Sequence, residues 1–593
     1  MLGISAFYHD AAAALVRDGE LVAAAEEERV TRVKHAAEFP ARAVEYCLQA
    51  AGITPQELDY VAFYEKPLVK FDRILTACLA TWPRSFGQFR RAMPLWLRQK
   101  LHLKKLFRRS LGLRPEQPIL FLDHHLSHAA SAFLVSPFQE AAVLTTDALG
   151  EWATTATGYA QGKDIVLDRE IRYPHSLGFF YSAVTAYLGF RVNDAEWKVM
   201  GLAPYGEDRF RREMDELLQV LPDGSYRLNM GCFAHHYSAT TLFNERFVRL
   251  FGRPPRRPEE PLDDFHRDVA CSTQKKLEEA VLALARSLHR EHPSRNLALA
   301  GGVALNSSAN YRILLDTPFT DLFIQPAAGD GGGAVGTAFY VTNVLLGLPR
   351  TFTMNHTHFG PGYSVEEVRR ELASLGLSYE EAASEGALVR ETAGLLRQGK
   401  IIGWFQGRME FGPRALGARS ILADPTRAEA KDEVNAKVKL REPFRPFAPS
   451  VPVERASEYF ELKVPESPFM LLVVPVRPEK RTVIPAVTHV DGTARLQTVR
   501  TDTHPLFHQL LLEFGQQTGV PVLLNTSFNV RGEPIVCTPR DALSCYFRTG
   551  LDALAIGPFI ITEKPQHLVA RFSQENLPFL QRDSELAKQV PVD

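Results

Sequence analysis

Twice within residues 1 to 160 the chain runs an apolar strand into a short polar turn and back again, and this echo restricts the fold more than any other feature. The first copy reads Leu2 to Phe7, Ala11 to Val16, then Leu21 to Ala25 across the Asp18-Gly19 turn. The second reads Ala142 to Thr146 and Thr155 to Tyr159 around Asp147, Gly150 and Glu151. Two polar-tipped hairpins in one half of a chain predict an internally duplicated α/β fold of the nucleotide-binding kind. Between them lie a helix at Ala41 to Ala51, apolar runs at Val61 to Tyr64 and Ile119 to Leu122, and the segment DHHLSHAASAF, whose small residues suit a helix.

After the second hairpin, Asp263 to His289 carries apolar residues at helical spacing, and Leu297 to Ala300 reads as a buried strand before Gly301-Gly302. A further strand at Leu322 to Ile324 leads through PAAGDGGG into a helix from Ala334 to about Leu346. The stretch Leu348 to Pro361 has a proline near each end and no periodicity, which marks a boundary between residues 1–350 and 361–593. The second α/β unit is predicted to hold helices near Val365 to Leu375, Ala387 to Gln398 and Ala428 to Val438. Its strands are expected at Ile401 to Phe405, Met470 to Val476 and Val520 to Leu524.

A chain of 593 residues exceeds what one core organises, in line with two units. The 68 basic and 69 acidic side chains nearly cancel, so no whole-protein field draws it to nucleic acid or an anionic membrane. One local exception stands out. Between Asp72 and Glu116 lie eleven basic residues and no acidic one, interleaved with Trp96, Leu97, Leu101 and Phe107. Phosphate, RNA or a membrane face would suit it, as would a plain solvated helical surface. Six scattered cysteines without a C-x-x-C pair suit reduced thiols and a cytoplasmic location. The opening lacks a basic leader region, and the longest uncharged run, Gly331 to Pro349, reads as a turn and a buried helix rather than a membrane span.

Two familiar signatures fail on context. Gly331-x-Gly333-x-x-Gly336 follows a strand and opens a helix, but no acid follows within 20 residues to take a ribose hydroxyl. Gly394-LLRQ-Gly399-Lys400 has phosphate-loop spacing, yet Ile401 stands where a magnesium-binding hydroxyl belongs. His124 and His128, four apart on one helix face, are placed to grip one metal, although two core histidines would show the same spacing. Asp147 and Asp330 each follow an apolar strand, where loops converge on ligands. Together they form a nitrogen and oxygen site suited to iron, manganese or zinc. The turns at Gly301-Gly302 and around Gly331 permit close backbone approach to a nucleotide, or are simply tight turns. In the second half, GWFQGRMEFGPRALGARSILADP and LNTSFNVRGEPIVCTP set Arg, Asn, Ser and Gly beside apolar strands, a mixture that recognises phosphate and carbonyl oxygens.

With these two motifs, the chain resembles the O-carbamoyltransferase family that includes the nodulation-factor, cephalosporin and tobramycin carbamoyltransferases. The resemblance extends to FYHDAAAAL, EEERVTRVKH, DHHLSHAASAF, WKVMGLAPYG and AGGVALN, and so to essentially the whole chain. It implies an actin-like (ASKHA) domain followed by a YrdC-like α/β domain, the latter joining ATP and carbamoyl phosphate into carbamoyl-adenylate and the former passing the carbamoyl group to an alcohol. It further implies metal ligation by His124, His128, Asp147 and Asp330, with Fe(2+) as the native ion and magnesium accompanying ATP. Arg414, Lys439, Arg495, Arg500, Asn525 and Ser527 match activation-site positions, while His9, a candidate base for the acceptor hydroxyl, and Lys34 fall in the transfer motifs. The implied partners are a small-molecule alcohol and a second copy of the chain. An actin-fold kinase and an RNA-binding regulator are the rival readings.

Overall fold

The computed structural model describes residues 1–575. They divide into two compact units, one of residues 1–27 and 35–354, the other of residues 28–34 and 355–575.

The first unit contains the same sheet twice. Strands β1 (Leu2–Ser5), β2 (Ala12–Arg17) and β3 (Glu20–Glu26) form an antiparallel meander, and β4 (Val61–Phe63) and β5 (Ile119–Phe121) continue it in parallel from β1, giving the order β3-β2-β1-β4-β5. In the second copy β6 (Glu140–Thr146), β7 (Ala153–Gln161) and β8 (Asp164–Arg172) make the meander. A small inserted hairpin of β9 (Leu218–Val220) and β10 (Tyr226–Leu228) stands apart, and β11 (Asn296–Ala300) and β12 (Asp321–Ile324) then extend the copy in parallel as β12-β11-β6-β7-β8. Two sheets with one topology are an internal duplication, as the paired hairpins predict. β1 and β4 are buried on both faces, as parallel strands covered by helices should be. Their side chains meet Val44, Cys47, Leu48 and Phe107 in one core.

Two helices bring the sheets' polar ends together. His124–Phe133 follows β5, and Asp330–Phe339 follows β12. The helix predicted from Ala334 therefore starts four residues earlier and takes in the glycines. A Cβ on Gly336 would lie 1.9 Å from the Ser127 carbonyl oxygen, so this glycine lets the two helices touch backbone to backbone. That packing, rather than a dinucleotide, accounts for it.

The second unit centres on one sheet whose strands are β13 (Glu380–Glu381), β14 (Ile402–Phe405), β15 (Arg419–Ala423), β16 (Ala448–Pro452), β19 (Gln497–Val499), β20 (Leu523–Ser527), β21 (Ala553–Ile556) and β22 (Phe559–Ile561). A separate pair joins β17 (Val473–Pro475) to β18 (Thr493–Arg495). The order is β13-β22-β21-β14-β15-β20-β16-β19. Helices Glu385–Arg397 and Pro505–Thr518 cover it, packing Leu388, Leu396, Phe507 and Phe514 onto Trp404, Leu422 and Leu523. Asn525 and Ser527 lie within β20, not just after it, because the strand begins three residues later than its apolar run and continues through both. The six cysteines are unbridged and buried, and no described helix is long and apolar enough to cross a membrane.

Candidate functional site

In the first unit the His124–Phe133 helix places His124 at its first residue and His128 one turn on, so both rings point the same way. Asp147 follows β6 and Asp330 opens the facing helix, so all four side chains arrive from the ends of neighbouring strands. Their ligand atoms lie within 4.8 Å of one another, and all four residues are buried. His128 Nε2 sits 3.1 Å from His124 Nε2 and 2.9 Å from Asp147 Oδ2. Asp330 Oδ1 is 3.6 Å from His128 Nε2 and 3.8 Å from His124 Nε2, and Tyr64 donates to Asp330 Oδ2 at 3.1 Å.

Two ring nitrogens and two carboxylate oxygens converging in a buried space ask for a positive charge at their centre. Burial alone would lower the pKa of His128, yet Asp147 and Asp330 overcome it and raise it to about 9. The donor set and its spacing fit a divalent cation, which would relieve the same carboxylates. His125, on the same helix, is committed elsewhere: Nδ1 meets Thr145 Oγ1 at 2.7 Å and Nε2 meets the Ala153 carbonyl at 3.0 Å. Burial, then His124 and His128, push its pKa down to about 3.

Elsewhere in the same unit, His9 Nδ1 pairs with Asp10 Oδ2 at 2.9 Å, Asp10 Oδ1 with His35 Nδ1 at 2.8 Å, and His35 Nε2 with Asp194 Oδ1 at 3.0 Å. Burial opposes a charge on His9, but Asp10 wins and raises its pKa to about 9. Phe7, Asp10, His35 and Asn193 all take positive φ around this relay (+74°, +54°, +55° and +60°), a cost that a fold bears where geometry must be held for chemistry. The sequence motifs point to His9 with Asp10 beside it; the links to His35 and Asp194 have no local signal, the widest spanning 159 residues. Lys34 belongs to the 28–34 segment that groups with the second unit, and it is half-buried.

Gly301 takes φ +90°, and a Cβ there would lie 2.2 Å from the Thr146 carbonyl oxygen, so the turn after β11 is pressed against the end of β6. A Cβ on Gly302 would come 3.1 Å from Asp147 Oδ1. Gly331 sits in the first turn of the Asp330–Phe339 helix, in ordinary contact with the Asp10 carbonyl.

The second unit gathers cations. Lys439 is buried, and its Nζ donates to the Ser527 carbonyl, to Ser527 Oγ at 3.2 Å, and to Asn529 O and Oδ1 at 3.1 and 2.8 Å. Burial, then Arg441 and Arg445, depress its pKa well below the usual lysine range. Arg495 is lowered likewise by burial and by Arg414, Arg441 and Arg445, and burial lowers Arg414 to about 10. Nε of Arg414 and Nε of Arg495 are shut off from solvent without a hydrogen-bond partner. In the same sheet Asn525 gives its amide to Ser450 Oγ and Gln497 Oε1 at 3.0 and 2.9 Å and leaves its buried Oδ1 unused. The carboxylate beside the cluster is Glu442, 3.4 Å from Arg445. Cations placed this close together, with guanidinium nitrogens unpaired, have the chemistry to hold an anion. Arg500 is outside this group: it is exposed and paired with Asp502 at 2.7 Å and Glu466 at 3.7 Å. Arg441, Arg445 and Asn529 are members the sequence did not announce.

Comparison with known proteins agrees with both halves. Residues 1–339 match the carbamoyltransferase N-terminus family and residues 393–563 the carbamoyltransferase C-terminus family. An uncharacterized protein of Synechocystis sp. is 47% identical over 95% of this chain and 97% of its own. Nodulation protein NolNO of Sinorhizobium fredii is 39% identical over 94% of this chain and 79% of its own. The 3'-hydroxymethylcephem-O-carbamoyltransferase of Amycolatopsis lactamdurans is 34% identical over 44% of this chain and 48% of its own. The chain belongs to the carbamoyltransferase family and is a transferase.

Proposed function

We propose that this carbamoyltransferase activates carbamoyl phosphate with ATP in its second unit and carbamoylates a small-molecule alcohol in its first. The observation that carries the reading is the cluster Arg414, Lys439, Arg441, Arg445 and Arg495, in which the Nε atoms of Arg414 and Arg495 are shut off from solvent without a partner, and burial, then Arg441 and Arg445, lower the pKa of both Lys439 and Arg495. Carbamate, freed from carbamoyl phosphate as water takes the phosphoryl group, attacks the α-phosphorus of ATP. A new P–O bond forms, pyrophosphate leaves, and carbamoyl-adenylate remains. The guanidinium and ammonium groups hold the phosphate oxygens while negative charge moves onto the leaving group. Asn525 and Ser527 orient the carbamate, and magnesium accompanies ATP.

In the first unit the acceptor hydroxyl attacks the carbamoyl carbon, the bond to AMP breaks, and the hydroxyl proton passes to His9 Nε2. Asp10 holds His9 by Nδ1, and His35 and Asp194 fix Asp10 in turn, so the free nitrogen is aimed rather than merely present. His124, His128, Asp147 and Asp330 would hold Fe(2+), which as a bound Lewis acid polarises the carbamoyl carbonyl. The name of the Amycolatopsis relative, a carbamoyltransferase for a hydroxymethyl group, supports an alcohol as acceptor.

The test is incubation with ATP, carbamoyl phosphate and a panel of hydroxylated metabolites. Pyrophosphate release that depends on carbamoyl phosphate, with an acceptor mass gain of about 43 Da, is the expected result of covalent carbamoyl transfer. Transfer of a phosphoryl group from ATP to the alcohol would overturn it and favour the kinase reading.

A further inference from the structure

A second cavity in the first unit adjoins the His–carboxylate cluster. Its lining includes Tyr8, Arg73, Gln88, Leu149, Tyr173, Phe179 and His235. Three links tie it to the transfer site. Tyr8 precedes His9, with ring centroids 4.4 Å apart. Leu149 is two residues beyond Asp147. Phe179 donates its N–H to Ser176 Oγ, which in turn donates to the Asp147 and Ala148 carbonyls.

The wall is aromatic on one side and charged on the other. Phe179 and His235 stack at 4.5 Å and 20°. Arg73 is 2% exposed, lies 5.4 Å over the Tyr173 ring, and makes a single hydrogen bond, 3.4 Å to the Gly150 carbonyl. It has no ion-pair partner among the described residues, and no acid lines the cavity. Gln88 Oε1 and His235 Nδ1 are shut off from solvent with nothing bonded to them. An unpaired guanidinium this far from water is costly unless a ligand meets it. Aromatic planes bordered by unused polar atoms suit a ring with one apolar face and a hydroxylated edge.

The cavity holds about 80 Å³, room for one edge of a sugar-sized molecule. We propose that it receives the charged edge of the acceptor, and that the acceptor is a hydroxylated ring bearing an oxyanion, which Arg73 binds, rather than a polycationic amine. The inference rests on the carbamoyl-transfer reading and narrows its substrate class. Gln88 accepts a hydroxyl of the ring, and Tyr173 and Phe179 cover its apolar face.

The test is calorimetric titration of the full chain with glucose 1-phosphate, methyl glucoside and kanamycin. The phosphorylated sugar should bind roughly tenfold or more tightly than the neutral one, the scale of one charge-assisted hydrogen bond, and kanamycin weakest. Arg73→Met keeps the stem over Tyr173 and removes the charge, so it should erase the preference. Gln88→Leu should weaken both sugars alike by several-fold. Equal affinity for the three probes, a preference for kanamycin, or a preference that survives Arg73→Met overturns the inference. Pyrophosphate release with carbamoyl phosphate, measured in parallel on the unaltered chain, judges the carbamoyl-transfer reading by itself. Its failure would leave the binding result standing.

Discussion

The two clusters solve opposite problems with buried charge. In the first unit two carboxylates and two imidazoles converge, and Asp147 and Asp330 raise the pKa of His128 to about 9 against the effect of burial. In the second unit cations crowd together, with Glu442 3.4 Å from Arg445, and burial, then Arg414, Arg441 and Arg445, lower the pKa of Arg495. The acidic cluster can neutralise itself by taking a proton. The arginines of the basic one have no such resort, because an arginine does not give up its proton near neutral pH. The acidic cluster can thus balance its own charge, whereas like charges press on one another in the basic one.

The sharpest way to break this contrast is Arg495→Met. It should cut pyrophosphate formation by roughly 10²- to 10³-fold, the range for losing one preorganised charge donor. It should also raise the melting temperature, since a like-charged neighbour is gone; a lower melting temperature would show that the cluster is not strained. Next comes His128→Ala. Carbamoyl transfer should fall by about 10²-fold while pyrophosphate formation continues, and the melting temperature should stop responding to added Fe(2+) or Mn(2+), which stabilise only the form that binds them. A response that persists in the variant would mean the ion binds elsewhere.

A pH profile sharpens the comparison further. His9 is protonated below about 9 and serves as a base only when deprotonated. Transfer should therefore climb close to tenfold per pH unit from neutrality and level off above about 9, a limb that His9→Gln removes. A flat profile would take the base role from His9. The smallest effect is expected of Arg500→Ala, which should leave pyrophosphate formation and melting temperature indistinguishable from the unaltered chain, because an exposed ion pair contributes little.

How much of this was legible in the sequence follows from how local each signal is. The duplicated meander was, because strand pattern and turn chemistry are written within a few residues. So was the histidine–carboxylate cluster: His124 and His128 share a helix face, and Asp147 and Asp330 sit where strands end. The cation cluster was legible only in part. After the predicted helix, observed as Ala430–Val434 and a looser turn at Asn435–Lys439, Leu440 takes φ +49° and the chain reverses. That reversal brings in Arg441 and Arg445, and no periodicity announces it. Arg500 is expected from the resemblance alone, and a matching position in related sequences does not report that it is exposed here.

The second unit includes residues 28–34, taken from near the chain's beginning. Arg32 hands its guanidinium to the Pro534 and Ile535 carbonyls, Arg29 reaches the Gly412 carbonyl at 2.9 Å, and Val30 packs on Met409 and Ile535. Severing the chain after 354 would thus strip seven residues from a body they help to build, so neither half is a clean module. Whoever wants to study the halves separately would do better to inactivate one in place than to cut it away.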